Sequence, residues 1–336
     1  MKTLYAGILV AAAQFFAAGA VDASQRHLLI VVGLGGEPHY TKLFNEWAAQ
    51  MAEIAERVLA IAGERITVLQ GSAEGDGETP RKEDVLTMLR NTADASTAGD
   101  MVMVLLIGHG TARNGRALFN LPGPDLSASE LREQLQLFAG RSLVIVNAAS
   151  SSGAFVRELS DAGRVVITAT ASGSEHQFAY FGGHFVSAFV ADAADKDKDN
   201  RVSMLEAFNH ARRAVARAYK EDDRILTEHA LLDDNGDGVG SRLTEASVAD
   251  GAIAAKLFLQ PSAGQLAGDS PQAREMLALD VRASELVSRI DRLKRRRERL
   301  LDEEYYRELE SLLVTLAYNR RTLRGVKENH ATTLAQ

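Results

Sequence analysis

The sequence has no cysteine. This removes disulfides, thiolate nucleophiles and cysteine-based metal sites together. At 336 residues the chain can hold a core without covalent staples. A basic surplus is missing too: the formal net charge is -7, which argues against a nucleic-acid partner, since phosphate contact wants a basic surface. Beyond residue 23 no run reaches the 18 or more apolar residues that a membrane span needs. The exception lies at the start. Lys2 precedes an apolar, Ala-rich stretch, Leu4 to Val21, which ends in the small residues "AGA" and "VDA". This reads as a secretory signal peptide (1–23), cleaved near Ala20 or Ala23, rather than as an anchor. The expectation is an exported protein, periplasmic or secreted, with no membrane contact after cleavage.

What is present is a regular alternation. The hydrophobic fraction of 46% suits a globular core. "HLLIVVGLGG" (27–36) reads as a buried strand ending in a glycine-rich turn. A helix follows, with Leu43, Trp47, Met51, Ile54, Val58 and Ile61 as its apolar stripe. "RITVLQG" is a second strand and 81–92 a helix. "MVMVLLIGHG" (101–110) is apolar throughout, as a strand covered on both faces should be. Ser127 suits an N-cap for the helix holding Glu130. "RSLVIVNAASSSG" and "GRVVITATASG" give two more strands. Strands of four to eight apolar residues alternating with amphipathic helices predict a parallel α/β sheet with helices on both faces, over 24–262. A linker at 263–272 leads to a charged helical segment, 273–326, with a break at "LLDEEYY". Its stripes, Leu286, Ile290, Leu293, Leu300 and Tyr305, Leu309, Leu312, Leu316, predict an α-helical hairpin. That hairpin is either an arm on the main domain or a homodimer contact. Residues 327–336 are left as a tail. The basic cluster 294–297 reads as a solvated helix face.

Ligands in open α/β sheets bind beyond the carboxyl ends of strands. Two small-residue turns fall at such ends: Gly108-His109-Gly110, and "NAASSSG" from Asn147 to Gly153. A serine hydroxyl needs a base within hydrogen-bond reach to act as a nucleophile. Adjacent parallel strands could bring His109 and Ser150 that close, and the backbone N–H groups of Gly110 and Ser150 could hold an oxyanion. Ser151 and Ser152 are fallback nucleophiles. The bland alternative makes the serines helix-start caps.

These residues resemble a family. A strand ending in "GHG", with a strand ending in "SSG" about forty residues on, is similar to the caspase-like (clan CD) cysteine peptidases and closer to the legumain, or C13, branch. There the base histidine sits in an "HG" and the nucleophile in an "E-A-C-x-S-G" run. The resemblance covers roughly Leu28 to Tyr219. It implies a caspase-like three-layer α/β/α sandwich with a mostly parallel sheet, and peptide-bond hydrolysis. By that resemblance His109 takes the base position, Gly110 the adjacent glycine, Ser152-Gly153 the "S-G" and Ser150 the nucleophile position. The departure is that the family uses cysteine there. Serine depends wholly on concerted proton removal by an oriented histidine, and a shorter bond in a site shaped for sulfur misplaces the attacking atom. The asparagine that helps orient the histidine in legumains has no match in "GLGGEPHY", so no third member is assigned. A working Ser–His peptidase and an inactive, calcium-stabilised fold that acts as a peptide-binding or scaffolding module both stand as expectations. The partner in either case is a peptide or protein.

One further motif carries chemistry. "DKDKDNRVSMLE" (Asp195–Glu206) places Asp195, Asp197 and Asp199 at positions 1, 3 and 5 of a calcium loop. The Arg201 carbonyl falls at position 7 and Glu206 at the bidentate position 12. Asn200 stands where glycine is usual, a place asparagine tolerates. The expected cofactor is calcium, with no organic cofactor; the alternative is an acidic turn. "DDNGDGVG" (Asp233–Gly240) reads better as a glycine-rich turn.

Overall fold

The computed structural model describes residues 24–71, 79–242, 250–261, 271–297 and 300–334. The expected leader at 1–23 and most of the expected linker lie outside the described residues. Nine strands are found among these residues: β1 (Arg26–Val32), β2 (Ile66–Leu69), β3 (Met101–Ile107), β4 (Gly110–Arg113), β5 (Arg116–Phe119), β6 (Leu126–Ser127), β7 (Ser142–Asn147), β8 (Arg164–Thr168) and β9 (Leu231–Asp233). The helices used below are α1 (Pro38–Arg57), α2 (Lys82–Ala95), α3 (Ala128–Leu135), α4 (Val156–Leu159), α5 (Phe181–Ala188), α6 (Met204–Glu221), α7 (Pro271–Arg295) and α8 (Asp302–Leu334).

The main sheet has the order β2-β1-β3-β7-β8-β9. Its first five strands are mutually parallel, and β9 runs antiparallel to β8. All seven residues of β3 are buried. Alternate residues feed opposite layers, as the two-residue period of a strand requires. Leu28, Ile30, Met103, Leu105 and Val146 pack under α1, α5 and α6. Leu29, Val31, Val104, Leu106 and Ile145 pack against α2 and α3 on the other face. A sheet covered on both sides explains why its strands are apolar without a polar alternate. This is the mostly parallel α/β/α arrangement that the alternation predicts.

Two local readings are corrected. In α1 the buried positions include Phe44, Ala48, Met51 and Ile54, whereas Val58, expected in the stripe, is 48% exposed just past the helix end. The true stripe starts one residue later than the sequence suggested. A second, three-stranded antiparallel sheet, β4-β5-β6, also stands where no strands were expected. Its two-residue turn is Asn114-Gly115, at φ +52 and +73, the left-handed pair that a tight hairpin demands. Ser127 does cap α3: its Oγ accepts the Glu130 N–H, and the Glu130 carboxylate accepts the Ser127 N–H.

At the C-terminus α7 and α8 pack on each other through Leu286, Ile290, Leu293, Tyr305, Leu312 and Leu316. Helix α8 continues to Leu334, through residues expected as a tail. Arg320 of α8 reaches Asp197 at 3.2 Å. Among the described residues no helix is long and apolar enough to cross a membrane.

Candidate active site

The register of the central strands builds the site. Leu106 of β3 lies opposite Asn147 of β7, so both chains leave the sheet at the same rim. Ser150 Oγ and His109 Nδ1 are 3.4 Å apart. The Gly110 N–H donates to Ser150 Oγ at 3.2 Å, and that hydroxyl lies 3.5 Å from the Gly110 carbonyl. Such close approach requires glycine at 110: a Cβ there would sit 2.5 Å from the Ser150 carbonyl oxygen. Small residues around the histidine therefore let the β7 turn press against it.

The imidazole is held from several sides. Tyr40, Phe44 and Phe178 present rings edge-on to it, with centroids 5.4, 5.3 and 6.5 Å away. Burial pushes the His109 pKa below its ordinary value, opposed by a hydrogen bond with the Gly35 backbone. A neutral imidazole in an apolar surround can accept a proton near neutral pH. None of these aromatic residues figured in the sequence reading. Tyr40, Phe44 and Trp47, spaced i, i+4 and i+7, carry the signal, but that spacing is also what any core-facing helix shows.

The serines differ in their duties. Ser150 is 1% exposed, and Ser151 and Ser152 are equally buried. Ser152 Oγ lies 3.2 Å from Thr170 Oγ1 and accepts the Thr170 N–H, so it serves the β8 loop. Ser151 adopts the left-handed region at φ +55, a conformation a non-glycine residue holds only under constraint. Its N–H donates to the Glu175 carbonyl at 2.8 Å. The result is a sharp turn directly after Ser150, between a strand and a short helix. Glu175 anchors the neighbouring loops. Its carboxylate accepts the N–H groups of Ala171 and His229, and meets His229 Nδ1 at 2.8 Å. Beside it the Glu228 carboxylate accepts the N–H groups of Tyr180 and Phe181. Burial pushes Glu228 up to about 7.

The acidic loop lies elsewhere, ahead of α6. Oxygens of Asp195, Asp197 and Asp199 come within 4.8 Å of one another, and the three could hold a metal ion. Burial drives Asp199 up to about 6; Arg201 opposes the rise, and Asp197 adds to it. Asn200 is at φ +64, the left-handed conformation expected of it. Glu206, expected as the bidentate ligand, instead accepts the N–H groups of Lys196 and Ser203 and the Ser203 hydroxyl. It caps α6 and ties the loop ends together. The Arg201 side chain pairs with Asp199 at 3.2 Å and stacks 4.1 Å above the Phe258 ring. In the second loop Asp233 and Asp234 are buried and turned onto backbone N–H groups. Asp233 closes its own turn, while Asp234 ties the loop to the segment at Gly251.

The model of the Peptidase C13 family matches residues 82–228. A search of curated proteins finds no match. Among solved structures, the crystal structure of Chaetomium thermophilum Raptor aligns with a TM-score of 0.33 and 10% identity, over 51% of this chain and 18% of that one. That likeness is too slight to weigh, and this chain spans under a fifth of that protein. The segment matched by the family holds β3, β7, β8 and both His109 and Ser150. On those grounds residues 82–228, under half of the chain, are similar to the Peptidase C13 family, and they lie within a mostly parallel α/β fold of the caspase-like kind.

Proposed function

We propose that this C13-like domain hydrolyses peptide bonds with a Ser150–His109 dyad. The observation that carries the reading is the 3.4 Å approach of Ser150 Oγ to His109 Nδ1. His109 Nδ1 takes the hydroxyl proton as Oγ attacks the scissile carbonyl carbon. The electron pair moves to the carbonyl oxygen, and the Gly110 N–H, released from Ser150 Oγ, meets the resulting oxyanion. Collapse breaks the C–N bond while the imidazolium returns its proton to the leaving amine. Water, activated by the same imidazole, then cleaves the acyl ester and regenerates the serine. The Gly35 backbone and the ring contacts hold the imidazole in place throughout.

A second reading has its own observation. Gly110 N–H is engaged with Ser150 Oγ, so the oxyanion donor is occupied and the hydroxyl is buried. A protein in this state would bind peptides without cleaving them. A serine-reactive fluorophosphonate probe and a diverse peptide library decide between the two. Hydrolysis predicts labelling and cleavage that fall by about 10³-fold or more in Ser150→Ala and in His109→Ala. Peptide binding with no turnover in the wild type would establish the second. For an active enzyme, the acid limb of kcat/KM should lie below the ordinary histidine value of about 6.5, because the base works in its neutral form and burial lowers its pKa.

The Asp195, Asp197 and Asp199 oxygens form a hard donor set, and calcium is the cation such a set suits. Its task there is structural, compensating three mutually repelling carboxylates ahead of α6. The apolar stretch Leu4–Val21 serves export to the periplasm or exterior. N-terminal sequencing of exported protein should begin at Val21 or Ser24, and an intact Met1 would reject that reading.

A further inference from the structure

Helix α8 has two apolar faces; one is buried in the hairpin, and the other, among the described residues, is met only at Tyr306, where the Arg297 guanidinium lies 5.4 Å from the ring centroid. Tyr305, Leu312, Leu316 and Leu323 are buried inward, toward α7 or the end of the hairpin. On the opposite side Tyr306, Leu313, Val314 and Tyr318 are 58, 47, 53 and 71% exposed. At 100° per residue these four share one face with Glu303, Glu310, Arg321 and Arg324, all of them exposed. A large exposed apolar stripe marks an interaction surface.

The charges around it name the occupant. From Asp302 to Glu310 there are five acids and one base; from Arg320 to Lys327 there are four bases and no acid. The stripe sits between the two blocks. We infer that the outer face of α8 pairs with α8 of a second copy, antiparallel, about a two-fold axis between Leu313 and Val314. That axis brings Leu313 against Val314, Tyr306 against Arg321, and Glu303 against Arg324. Each acidic block then meets the partner's basic block, and Arg321 reaches the exposed part of the Tyr306 ring, beside the Arg297 guanidinium that already lies over it. Parallel pairing would instead set acid on acid and base on base. The same patch faces itself across the axis, as a closed two-fold dimer requires. The inference does not depend on whether Ser150 is active.

Sedimentation of the purified full chain tests it. The expected result is a monomer–dimer equilibrium within the micromolar range, becoming monomeric in Leu313→Glu, with an unchanged circular-dichroism melt as the control for folding. Reversing Arg321 and Arg324 to Glu should weaken the dimer about tenfold or more. Adding Glu303→Lys and Glu310→Lys should restore it. Since the chain has no cysteine, single introduced thiols report the geometry. Val314→Cys should crosslink on mild oxidation. Tyr306→Cys should not, because antiparallel packing places the two copies of that residue about 22 Å apart along the axis at 1.5 Å per residue. A chain that stays monomeric at about 100 µM, far above the micromolar scale, overturns the proposal. So does crosslinking through Tyr306→Cys, which would signify parallel helices.

Discussion

Two acidic loops of similar spelling, Asp195–Glu206 and Asp233–Gly240, use their carboxylates in opposite ways. In the second, Asp234 is 1% exposed and accepts the N–H groups of Gly251, Ile253 and Ala254 at 2.7–2.8 Å. Asp233 does the same for Gly236 and Gly238. Asp233 thus satisfies the backbone of its own turn and Asp234 that of the segment from Gly251 to Ala254, which leaves little over for a ligand. In the first loop the carboxylates also take backbone N–H groups, at Asp199, Asn200 and Arg201. Their oxygens nevertheless converge on one another, and the shared charge helps to push Asp199 upward. The lesson is that D-x-[DN]-x-D fixes a turn, while the surrounding chain decides whether its oxygens point at N–H groups or at a common centre.

The sharpest break should come from Asp234→Ala. It strands three N–H donors, two of them fully buried, each buried one costing about 1–3 kcal/mol. A loss of about 3–5 kcal/mol in a denaturant melt is expected, with or without calcium. Next is calcium itself. At about a hundred times its Kd, an ion bound only by the folded state adds about 2.7 kcal/mol. The melting temperature should therefore rise with calcium and fall with chelator in the wild type, and should not respond in Asp199→Ala. Equal melts throughout would make the first loop a turn like the second. A finer distinction is Glu206→Gln. Glu206 holds the Ser203 N–H and hydroxyl with one oxygen and the Lys196 N–H with the other, so the single amide oxygen of Gln should keep the Ser203 cap and give up the Lys196 contact, and the calcium response should survive. Its loss would return Glu206 to the ion. Smallest is Arg320→Ala, which removes the link from α8 to Asp197. As a partly exposed pair it should cost about 0.2–1 kcal/mol, less still at high salt.

The parts legible in the sequence were those written by burial. β3 and β7 are continuous apolar runs because helices cover both faces, and small residues at their ends marked the rim where His109 and Ser150 meet. The β4–β5 hairpin was missed although Asn114-Gly115 spells its turn; each strand is only four residues long and β4 is largely exposed, so Ala117 and Phe119 of β5, which enter the core, are too few to show an alternation. The aromatic surround of His109 was hidden because Phe178 comes from a loop and Tyr40 from a helix whose spacing looks like ordinary core. Glu206 shows another limit. One carboxylate fits both the twelfth place of a calcium loop and the third place of a capping box, and only coordinates show which it occupies. The pairing of Glu175 with His229, 54 residues apart, has no local pattern at all.

The way the main sheet stops has a consequence for assembly. β9 is three residues long, and on its far side Leu232 exchanges both backbone hydrogen bonds with Ser241. The last strand thus has its outward donors and acceptors met by its own chain. Foreign strands cannot be recruited there to lengthen the sheet, so any association at this flank must proceed through side chains and helices instead of backbone zippering.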